Sequence, residues 1–426
     1  EQAIAKAALP DAAPEPPDAG LGSRLPVVGL GASAGGLQAL KAFFENMPED
    51  PGAAFVVVTH QHPDHSSLMA ELLARHTTMP VAEITSGTPI EVNHVYVSPP
   101  GQNVAYAGGS LHLARPGDRG KVHLPIDFFF RSLAEDCGEG AVAIVLSGTG
   151  SDGTRGLQDL KAAGGMAMAQ DEASALYPGM PHSAIAARLV DYVLPVEQLP
   201  AKLLAYLGAP RPPRSASPRP PDLEAYRQIL VLLRARTGHD FASYKASTIH
   251  RRIERRIALL HLASATDYLE LLRDNRAEVQ ALFGGLLIGV TSFFRDPEAF
   301  EALTGPLEEL IASKADDDVL RVWVTGCSTG EEAYSLAILI RECMDRLKRP
   351  LSVQIFATDL DSRAVDIARA GLYPQGIAAD VSQERLERRF EPEGHGYRIR
   401  KDVREMLVFA PQNVIGDPPF TKLDLL

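Results

Sequence analysis

The chain has 426 residues, which is enough for two or three domains that each bury a core. Its composition, with 45% hydrophobic and 23% charged residues, is typical of a globular protein, and its net charge of -12 excludes a general nucleic-acid-binding role. Three widely spaced cysteines exclude a disulfide framework and no apolar run is long enough to span a membrane, so we expect a cytoplasmic protein without membrane insertion.

Two stretches of biased composition divide the chain. Residues 1–24 are rich in Ala, Pro, Asp and Glu without periodicity, which predicts a disordered tail. The proline-rich residues 207–221 cannot sustain helical or ladder hydrogen bonds, which predicts an extended linker. We therefore expect a first domain over residues 25–206 and a second part from residue 222 onwards.

The first domain alternates short β-branched runs with helical patterns. An apolar strand that begins at Val27 stops at the small residues 31–36, and apolar residues then recur at helical spacing. Residues 55–59 and 141–146 form similar runs before further helical patterns. This alternation predicts an α/β fold with a doubly wound, mainly parallel sheet, in which ligands bind at the carboxyl ends of the strands.

Three polar residues directly follow these predicted strands: Ser33, His60 and Asp152. The carboxyl ends of neighbouring strands lie together in such a fold, so we expect these three residues to lie near one another. Ser33, in a turn of small residues before a helix N-terminus that favours negative charge, is a candidate nucleophile. Taken alone, the small-residue turn around Ser33 also fits a phosphate-binding turn or a tight connection. Asp152 alone also fits an ordinary turn carboxylate.

Several motifs of the first domain resemble the catalytic domain of the chemotaxis protein-glutamate methylesterase (CheB-like) family. The motifs lie in the same order as in that family, at residues 31–36, 59–60, 95–101 and 146–153. The resemblance implies that Ser33 is the nucleophile, His60 the general base and Asp152 the orienting carboxylate. It also implies that this half needs no cofactor and that glutamine deamidation can follow the same route.

A metal-dependent hydrolase is a competing interpretation. His60, His62, Asp64 and His65 read as H-x-H-x-D-H, a spacing that resembles the first zinc-ligand cluster of metallo-β-lactamase-fold hydrolases. We rank a dinuclear zinc site below the serine interpretation because neither an antiparallel β-meander before this motif nor spaced ligands after it can be identified. We therefore expect no metal site.

The second part begins with two amphipathic helical patterns, at residues 223–235 and 244–260. The second pattern carries arginines at i,i+4 spacing, namely Arg251, Arg252, Arg255 and Arg256. Such a stripe fits an acidic protein partner, and it fits equally a solvated face with internal salt bridges.

Two later strands end in residues that suit an adenosine-bearing ligand. The strand at 320–324 leads into a glycine-containing turn at 326–330, and the strand at 353–357 ends at Asp359. In Rossmann-like folds such a turn contacts the ligand through its backbone and such a carboxylate binds the ribose hydroxyls. An ordinary helix-capping acid is the alternative for Asp359.

Motifs in this half resemble the chemotaxis receptor methyltransferase (CheR-like) family, an S-adenosylmethionine enzyme with a helical N-terminal subdomain. The motifs lie at residues 289–296, 327–335, 356–359 and 409–414. The resemblance implies a helical subdomain over 222–300 and a Rossmann-like sheet over 301–426. It implies cofactor contacts by Thr291, Arg295, Glu332, Asp359 and Asn413, although the choice between Glu331 and Glu332 stays open.

The second resemblance carries two further implications. The arginine stripe would touch the protein substrate, a methyl-accepting chemoreceptor or similar sensory protein. Because the family continues past Leu426, we expect an incomplete sheet and weak S-adenosylmethionine binding. Together the two halves predict a methylesterase–methyltransferase fusion acting on glutamate γ-methyl esters, and a non-catalytic signalling scaffold is the alternative from another class.

Overall fold

The computed structural model describes residues 25–60, 68–115, 123–208, 220–241, 244–287, 289, 291–315, 317–394 and 396–426. The predicted tail, most of the predicted linker, and His62, Asp64 and His65 of the zinc interpretation lie outside these ranges. Within them, none of the helices combines the length and apolar character needed to cross a bilayer. Cys137, Cys327 and Cys343 are buried.

The first domain contains the following elements in chain order: β1 (Val27–Ala32), α1 (Gly36–Glu45), β2 (Ala54–Thr59), α2 (Met69–Leu73), β3 (Val81–Glu83), β4 (Thr88–Pro89), β5 (Val95–Val97), β6 (Asn103–Ala107), β7 (Ser110–Ala114), α3 (Pro125–Cys137), β8 (Val142–Val145), α4 (Thr154–Ala162), β9 (Met166–Gln170), α5 (Gly179–Ala186), β10 (Tyr192–Leu194) and α6 (Leu199–Leu207). Seven strands pair in parallel in the order β10-β9-β8-β1-β2-β5-β3. The predicted parallel sheet is confirmed.

Helices cover both faces of this sheet, so its central strands are buried along their whole length. Phe55 and Val57 of β2 share a hydrophobic cluster with α1, whereas Val56 and Val58 share one with α3. The small antiparallel sheet β4-β7-β6 was not predicted, because strands of two to five residues are too short to show a clear period.

The second part contains the following elements: α7 (Pro220–Thr237), α8 (Ala246–Leu259), α9 (Ala265–Asp274), α10 (Arg276–Leu286), α11 (Pro297–Ser313), β11 (Val319–Thr325), α12 (Glu331–Leu347), β12 (Ser352–Asp359), α13 (Ser362–Ala370), β13 (Leu372–Pro374), α14 (Gln383–Arg389), β14 (Phe390–Glu393), β15 (Gly396–Ile399), α15 (Lys401–Arg404) and β16 (Leu407–Pro411). Helices α7 to α10 enclose one hydrophobic cluster, which confirms the predicted helical subdomain.

The sheet of the second part has the parallel order β11-β12-β16. Its β11 edge is continued by a parallel bridge between Val322 and Leu425. A separate antiparallel sheet has the order β13-β15-β14. Helix α11 runs across residue 300, where the two subdomains were expected to meet.

Helix α8 docks onto the first domain instead of presenting a free basic face. Its last residue, Leu259, belongs to the hydrophobic cluster that α1 forms with the central sheet. Arg251, Arg252 and Arg255 contact the first domain, and Arg256 pairs with Glu278 of α10. The interpretation of these four arginines as a partner-binding surface is therefore not supported, because carboxylates and backbone carbonyls of this chain already pair with them.

Candidate active site

Ser33 lies in the turn between β1 and α1. Its backbone N–H donates to the Ser147 carbonyl at 3.0 Å, and its own carbonyl accepts from the Gly36 N–H at 2.8 Å. Gly35 has a φ of 72°, and a Cβ there would lie 2.7 Å from the Ser147 Oγ, so this position requires glycine. These contacts hold Ser33 at the N-terminus of α1, where the helix dipole favours negative charge.

His60 directly follows β2 and faces a carboxylate. Its Nε2 lies 3.2 Å from Asp152 Oδ2 and 3.3 Å from the His123 carbonyl oxygen. Both neighbours are acceptors, so the hydrogen-bond network assigns the proton to Nε2 and leaves Nδ1 as the acceptor nitrogen. Burial lowers the His60 pKa below its usual 6.5, against the opposing effects of the His123 carbonyl and the Asp127 charge. The imidazole is therefore neutral near pH 7, as a general base must be.

Asp152 follows β8 and is only 2% exposed. Its Oδ2 accepts the Ile126 N–H at 3.0 Å, and its Oδ1 accepts the N–H groups of Asp127 at 2.8 Å and Gly153 at 2.9 Å. Ile126 and Asp127 belong to the first turn of α3, whose amides have no partners within the helix. The carboxylate is thus fixed by a helix N-terminus, although burial still raises its pKa above the usual value.

Asp127 is a residue of this site that sequence reasoning missed. Its Oδ1 accepts the Gly156 N–H of α4 at 2.8 Å, and its Oδ2 is buried without a hydrogen-bond partner. Burial first and the Asp152 charge second raise the Asp127 pKa strongly. Asp152 therefore binds the start of α3 while Asp127 binds the start of α4. The available signal was an acid between Ile126 and a run of three phenylalanines, a setting that predicts burial.

The sheet brings the three residues of the predicted triad to one edge. Strand β1, which ends at Ser33, lies between β2, which leads to His60, and β8, which leads to Asp152. The loop that carries Asp152 lies against the turn that holds Ser33, because a Cβ on Gly148 would lie 3.0 Å from the Ser33 Cβ. The 3.2 Å contact joins His60 to Asp152 across this edge.

The zinc interpretation finds one of its four ligands in the described part of the chain. That residue, His60, directs its Nε2 to Asp152. Nowhere in the described ranges do three His, Cys, Asp or Glu side chains converge as a metal site would require.

A second candidate site lies at the carboxyl ends of β11, β12 and β16. These ends carry the glycine turn 326–330, Asp359 and Asn413, respectively. Asp359 Oδ2 accepts the Ser328 N–H at 2.7 Å, so the carboxylate braces the turn. Ser328 has a φ of 48°, and its Oγ is buried without a hydrogen-bond partner.

Thr291 and Arg295, two of the predicted cofactor contacts, lie on a segment that reaches this turn. A Cβ on Gly289 would lie 2.7 Å from the Ser328 Oγ, so residue 289 packs directly against the turn. The Phe294 N–H donates to Ser335 Oγ of α12 at 2.9 Å. These contacts place half-buried Thr291 and exposed Arg295 beside the start of α12.

Asn413 connects the sheet edge to the helical subdomain. Its Oδ1 accepts the Ile415 N–H at 3.0 Å, and its Nδ2 lies 3.4 Å from His239 Nδ1. His239 in turn stacks on Phe283 of α10, with ring centroids 5.2 Å apart. The helical subdomain therefore closes one side of this candidate site.

The structure separates the two neighbouring acids that begin α12. Glu331 is 7% exposed and accepts a hydrogen bond from Thr329 Oγ1 at 2.6 Å, and burial raises its pKa to about 7. Glu332 is exposed. Glu331 lines a cavity of about 920 Å³ together with Thr291 and Thr329, and residues 149–151 of the first domain line its other wall. Of the two acids, Glu331 is therefore the one that lines this cavity, and Glu332 stays a predicted cofactor contact.

Family models cover most of the chain in three successive blocks. Residues 28–203 match the CheB methylesterase model, residues 224–287 match the all-alpha domain of the CheR methyltransferase, and residues 289–426 match the SAM-binding domain of the CheR methyltransferase. Their order agrees with the fold and with the positions of the two candidate sites.

Individual relatives are similar to parts of the chain. An uncharacterised 104.1 kDa protein of Rhodobacter capsulatus is 41% identical over 382 residues, which cover 84% of this chain and 40% of that protein. A protein-glutamate methylesterase/protein-glutamine glutaminase of Xanthomonas oryzae pv. oryzae is 39% identical over 183 residues, which cover 42% of this chain and 51% of that enzyme. The crystal structure of the Thermotoga maritima CheB methylesterase catalytic domain is 30% identical, with a TM-score of 0.40, and the match covers 42% of this chain and 97% of that domain.

The chain spans about half or less of the length of these two curated relatives. Its first domain has the site geometry described at the carboxyl ends of β1, β2 and β8, and its second part has the glycine turn braced by Asp359. With the three family matches, the chain belongs to the CheB methylesterase family in its first domain and to the CheR methyltransferase family in its second part, as a CheB–CheR fusion.

Proposed function

We propose that the first domain hydrolyses glutamate γ-methyl esters of a protein substrate and that the second part forms the same ester from S-adenosylmethionine. The contact between His60 and Asp152 at the strand edge that carries Ser33 is the observation that carries the esterase assignment. The substrate we propose is a methyl-accepting chemoreceptor or a similar sensory protein, met in the cytoplasm.

The geometry supports a serine mechanism in two halves. His60 Nδ1 takes the proton of the Ser33 hydroxyl as its oxygen attacks the ester carbonyl, while Asp152 holds the Nε2–H side of the ring. The N-terminus of α1 stabilises the developing oxyanion. Methanol leaves with the proton from His60, and water, deprotonated by the same ring, then cleaves the acyl-enzyme to glutamate and free Ser33.

The same route extends to glutamine. The related enzyme of Xanthomonas oryzae carries the name protein-glutamine glutaminase beside methylesterase. We therefore include hydrolysis of a glutamine side chain in the proposal, with ammonia as the leaving group in place of methanol.

The residues of the second site fit S-adenosylmethionine, whose electrophilic methyl group is the chemistry it supplies when bound. Asp359 at a strand end would hold the ribose hydroxyls, and Asn413 would hold the adenine. Thr291 and Arg295 would hold the methionine end, with Glu331 nearby. The buried Ser328 Oγ, which has no partner among the residues that the structure describes, is the polar atom that a bound ligand would satisfy.

Methanol release from a methylated chemoreceptor tests the esterase assignment. Ser33→Ala should lower the rate by at least about a thousandfold, whereas Ser86→Ala, in the exposed turn before β4, should leave it unchanged. If wild type and Ser33→Ala release methanol at the same rate, Ser33 is not the nucleophile, and the non-catalytic scaffold interpretation remains. Loss of activity in a strong chelator with recovery on adding zinc would instead establish the metal-dependent alternative.

A further inference from the structure

Helix α4 connects the catalytic carboxylate to the second part of the chain. It has nine residues and begins directly after Asp152 and its N-cap, Gly153. Both ends of this helix contact residues that lie more than 80 positions further along the chain. Because α4 begins beside Asp152, these contacts bear on the position of that carboxylate.

The N-terminal end of α4 contacts the turn between β13 and α14. Arg155 donates to Asp380 Oδ1 at 2.6 Å and to the Gly376 carbonyl at 3.2 Å. The Gly376 N–H donates to Ser151 Oγ at 3.3 Å, one residue before Asp152. A Cβ on Gly376 would lie 3.4 Å from the Arg155 Cδ, so the two segments are packed together. The loop that carries Asp152 is thereby held from outside its own domain.

The C-terminal end of α4 contacts α8. Arg252 is 6% exposed and donates to the carbonyls of Lys161 at 3.1 Å and Ala162 at 3.0 Å. These carbonyls lie at the end of the helix, where a cation is favourable, and the Lys161 carbonyl also accepts the Gly164 N–H at 3.1 Å. The arginine therefore satisfies the end of a helix in the other domain.

A buried charge cluster reinforces this end. Asp191 accepts from Lys161 of α4 at 2.6 Å and from Arg255 of α8 at 2.7 Å, and it also accepts the Ala167 N–H at 3.0 Å. Lys161 and Arg255 together hold the Asp191 pKa below its usual value despite its burial. Removing Asp191 would leave the buried Lys161 and Arg255 without their shared carboxylate, so the cluster favours the docked arrangement.

Movement of α4 is transmitted to the site through short links. Asp152 Oδ1 accepts the Gly153 N–H at 2.9 Å, and Asp127 Oδ1 accepts the Gly156 N–H at 2.8 Å. Gly153, the N-cap of α4, therefore contacts Asp152 directly. Gly156 of α4 contacts Asp127, whose N–H in turn donates to Asp152 Oδ1. A shift of α4 along its axis changes the position of Asp152 relative to His60.

We propose that the methyltransferase part is a positioning element of the esterase site: docked at both ends of α4, it holds Asp152 in place through Arg155, Asp380 and Arg252. This inference rests on the proposed esterase activity. The three named residues act through α4 and touch no reacting atom, so they are positioning residues. Esterase turnover is then coupled to docking of the two parts of the chain.

A double-mutant cycle on the full chain tests the first contact. Arg155→Ala and Asp380→Ala should each lower kcat for methanol release by roughly 3- to 30-fold with KM unchanged. The double variant should be no slower than the slower single variant, because both substitutions remove the same contact. Unchanged kcat in both single variants, or fully additive losses, would overturn the proposal.

Arg252→Met tests the second contact, with Arg251→Gln as the matched control on the same helix. Arg251 pairs with Glu139 outside α4, and those side chains are 37% and 38% exposed. We expect Arg252→Met to lower kcat and to speed hydrogen exchange of the α4 amides, and Arg251→Gln to do neither. If Arg252→Met does not fold, Arg252→Lys, which keeps the charge but loses the two-pronged contact, replaces it.

Ser33 dependence and α4 hydrogen exchange together distinguish failure of the esterase function from failure of the positioning role. A chain whose activity does not depend on Ser33 refutes the proposed esterase function, whatever the exchange rates show. A chain with Ser33-dependent activity in which both substitutions leave kcat and α4 exchange unchanged refutes only the positioning role.

Discussion

Replacing Gly156 by alanine tests how closely α3 and α4 must pack to hold the two buried carboxyls. A Cβ at this position would lie 2.6 Å from the Phe130 Cβ, 2.8 Å from the Asp127 carbonyl oxygen and 3.0 Å from the Asp127 Cα. None of these atoms can rotate away. Because ordinary contact begins at 3.4 Å, the two helices must separate by about 0.8 Å at this point.

Two opposing effects decide the size of the change. Alanine is favoured over glycine within a helix by roughly 0.5–1 kcal/mol, and overpacking of a core typically costs about 1–3 kcal/mol. We therefore expect a net loss of about 1 kcal/mol in the free energy of unfolding. The hydrogen bonds from Gly156 to Asp127 and from Asp127 to Asp152 cross the same boundary, so Asp152 moves away from His60. We expect kcat to fall by roughly tenfold or more.

Urea unfolding and methanol-release kinetics measure these two effects. Gly285→Ala in α10 is the matched control, because nothing lies within 4 Å of a Cβ there. That control should be stabilised by roughly 0.5–1 kcal/mol through helix propensity alone, with kcat unchanged. A Gly156→Ala chain that gains stability as the control does, with wild-type kcat, would refute the packing argument.

Four further outcomes are expected. The kcat/KM of ester hydrolysis should fall on acidification between pH 3.8 and 6.5, because burial lowers the His60 pKa below 6.5 and raises the Asp152 pKa above 3.8. A pH–rate profile in which kcat/KM already falls on acidification above pH 6.5 would contradict this. Asp152→Asn should lower kcat by roughly 10⁴-fold. A decrease of less than about tenfold in steady-state kinetics would mean that the reaction does not need the negative charge of Asp152. The folded chain holds a proton on Asp127 that the unfolded chain releases above pH 3.8, so the free energy of unfolding should decrease as the pH rises towards the raised Asp127 pKa. Asp127→Asn should make the free energy of unfolding depend less on pH. Urea unfolding over a pH series would exclude this role of Asp127 if wild type and Asp127→Asn lost stability equally with rising pH. Asp359→Asn should weaken S-adenosylmethionine binding by roughly tenfold or more through loss of a charged acceptor, and calorimetry giving equal affinities would remove Asp359 from the site.

Local sequence patterns were sufficient for the strand–turn–helix unit that carries Ser33. The small residues 31–36 interrupt an apolar strand, and the following apolar residues recur at helical spacing, so neighbouring residues determine the unit. The alternation of strands and helices also predicted a parallel sheet. In such a sheet the carboxyl ends share one edge, which is why Ser33, His60 and Asp152 could be grouped before their contacts were seen.

The contacts that complete the first site depend on packing between distant segments. Asp127 binds α4 because α3 and α4 approach closely at Gly156, 29 positions further along the chain. A helical pattern identifies the buried face of α3 but gives no distance to another helix. Helical periodicity therefore could not assign Asp127 to the site.

By itself the sequence determined the order of the domains, the turn that carries Ser33 and the strand ends that carry His60, Asp152 and Asp359. Only the tertiary structure decided that Glu331 faces the cavity while Glu332 is exposed, and that three of the four arginines of α8 contact the first domain. Periodicity establishes that side chains share a face of a helix, but burial and pairing depend on what packs against that face, and those neighbours come from segments far away in the sequence.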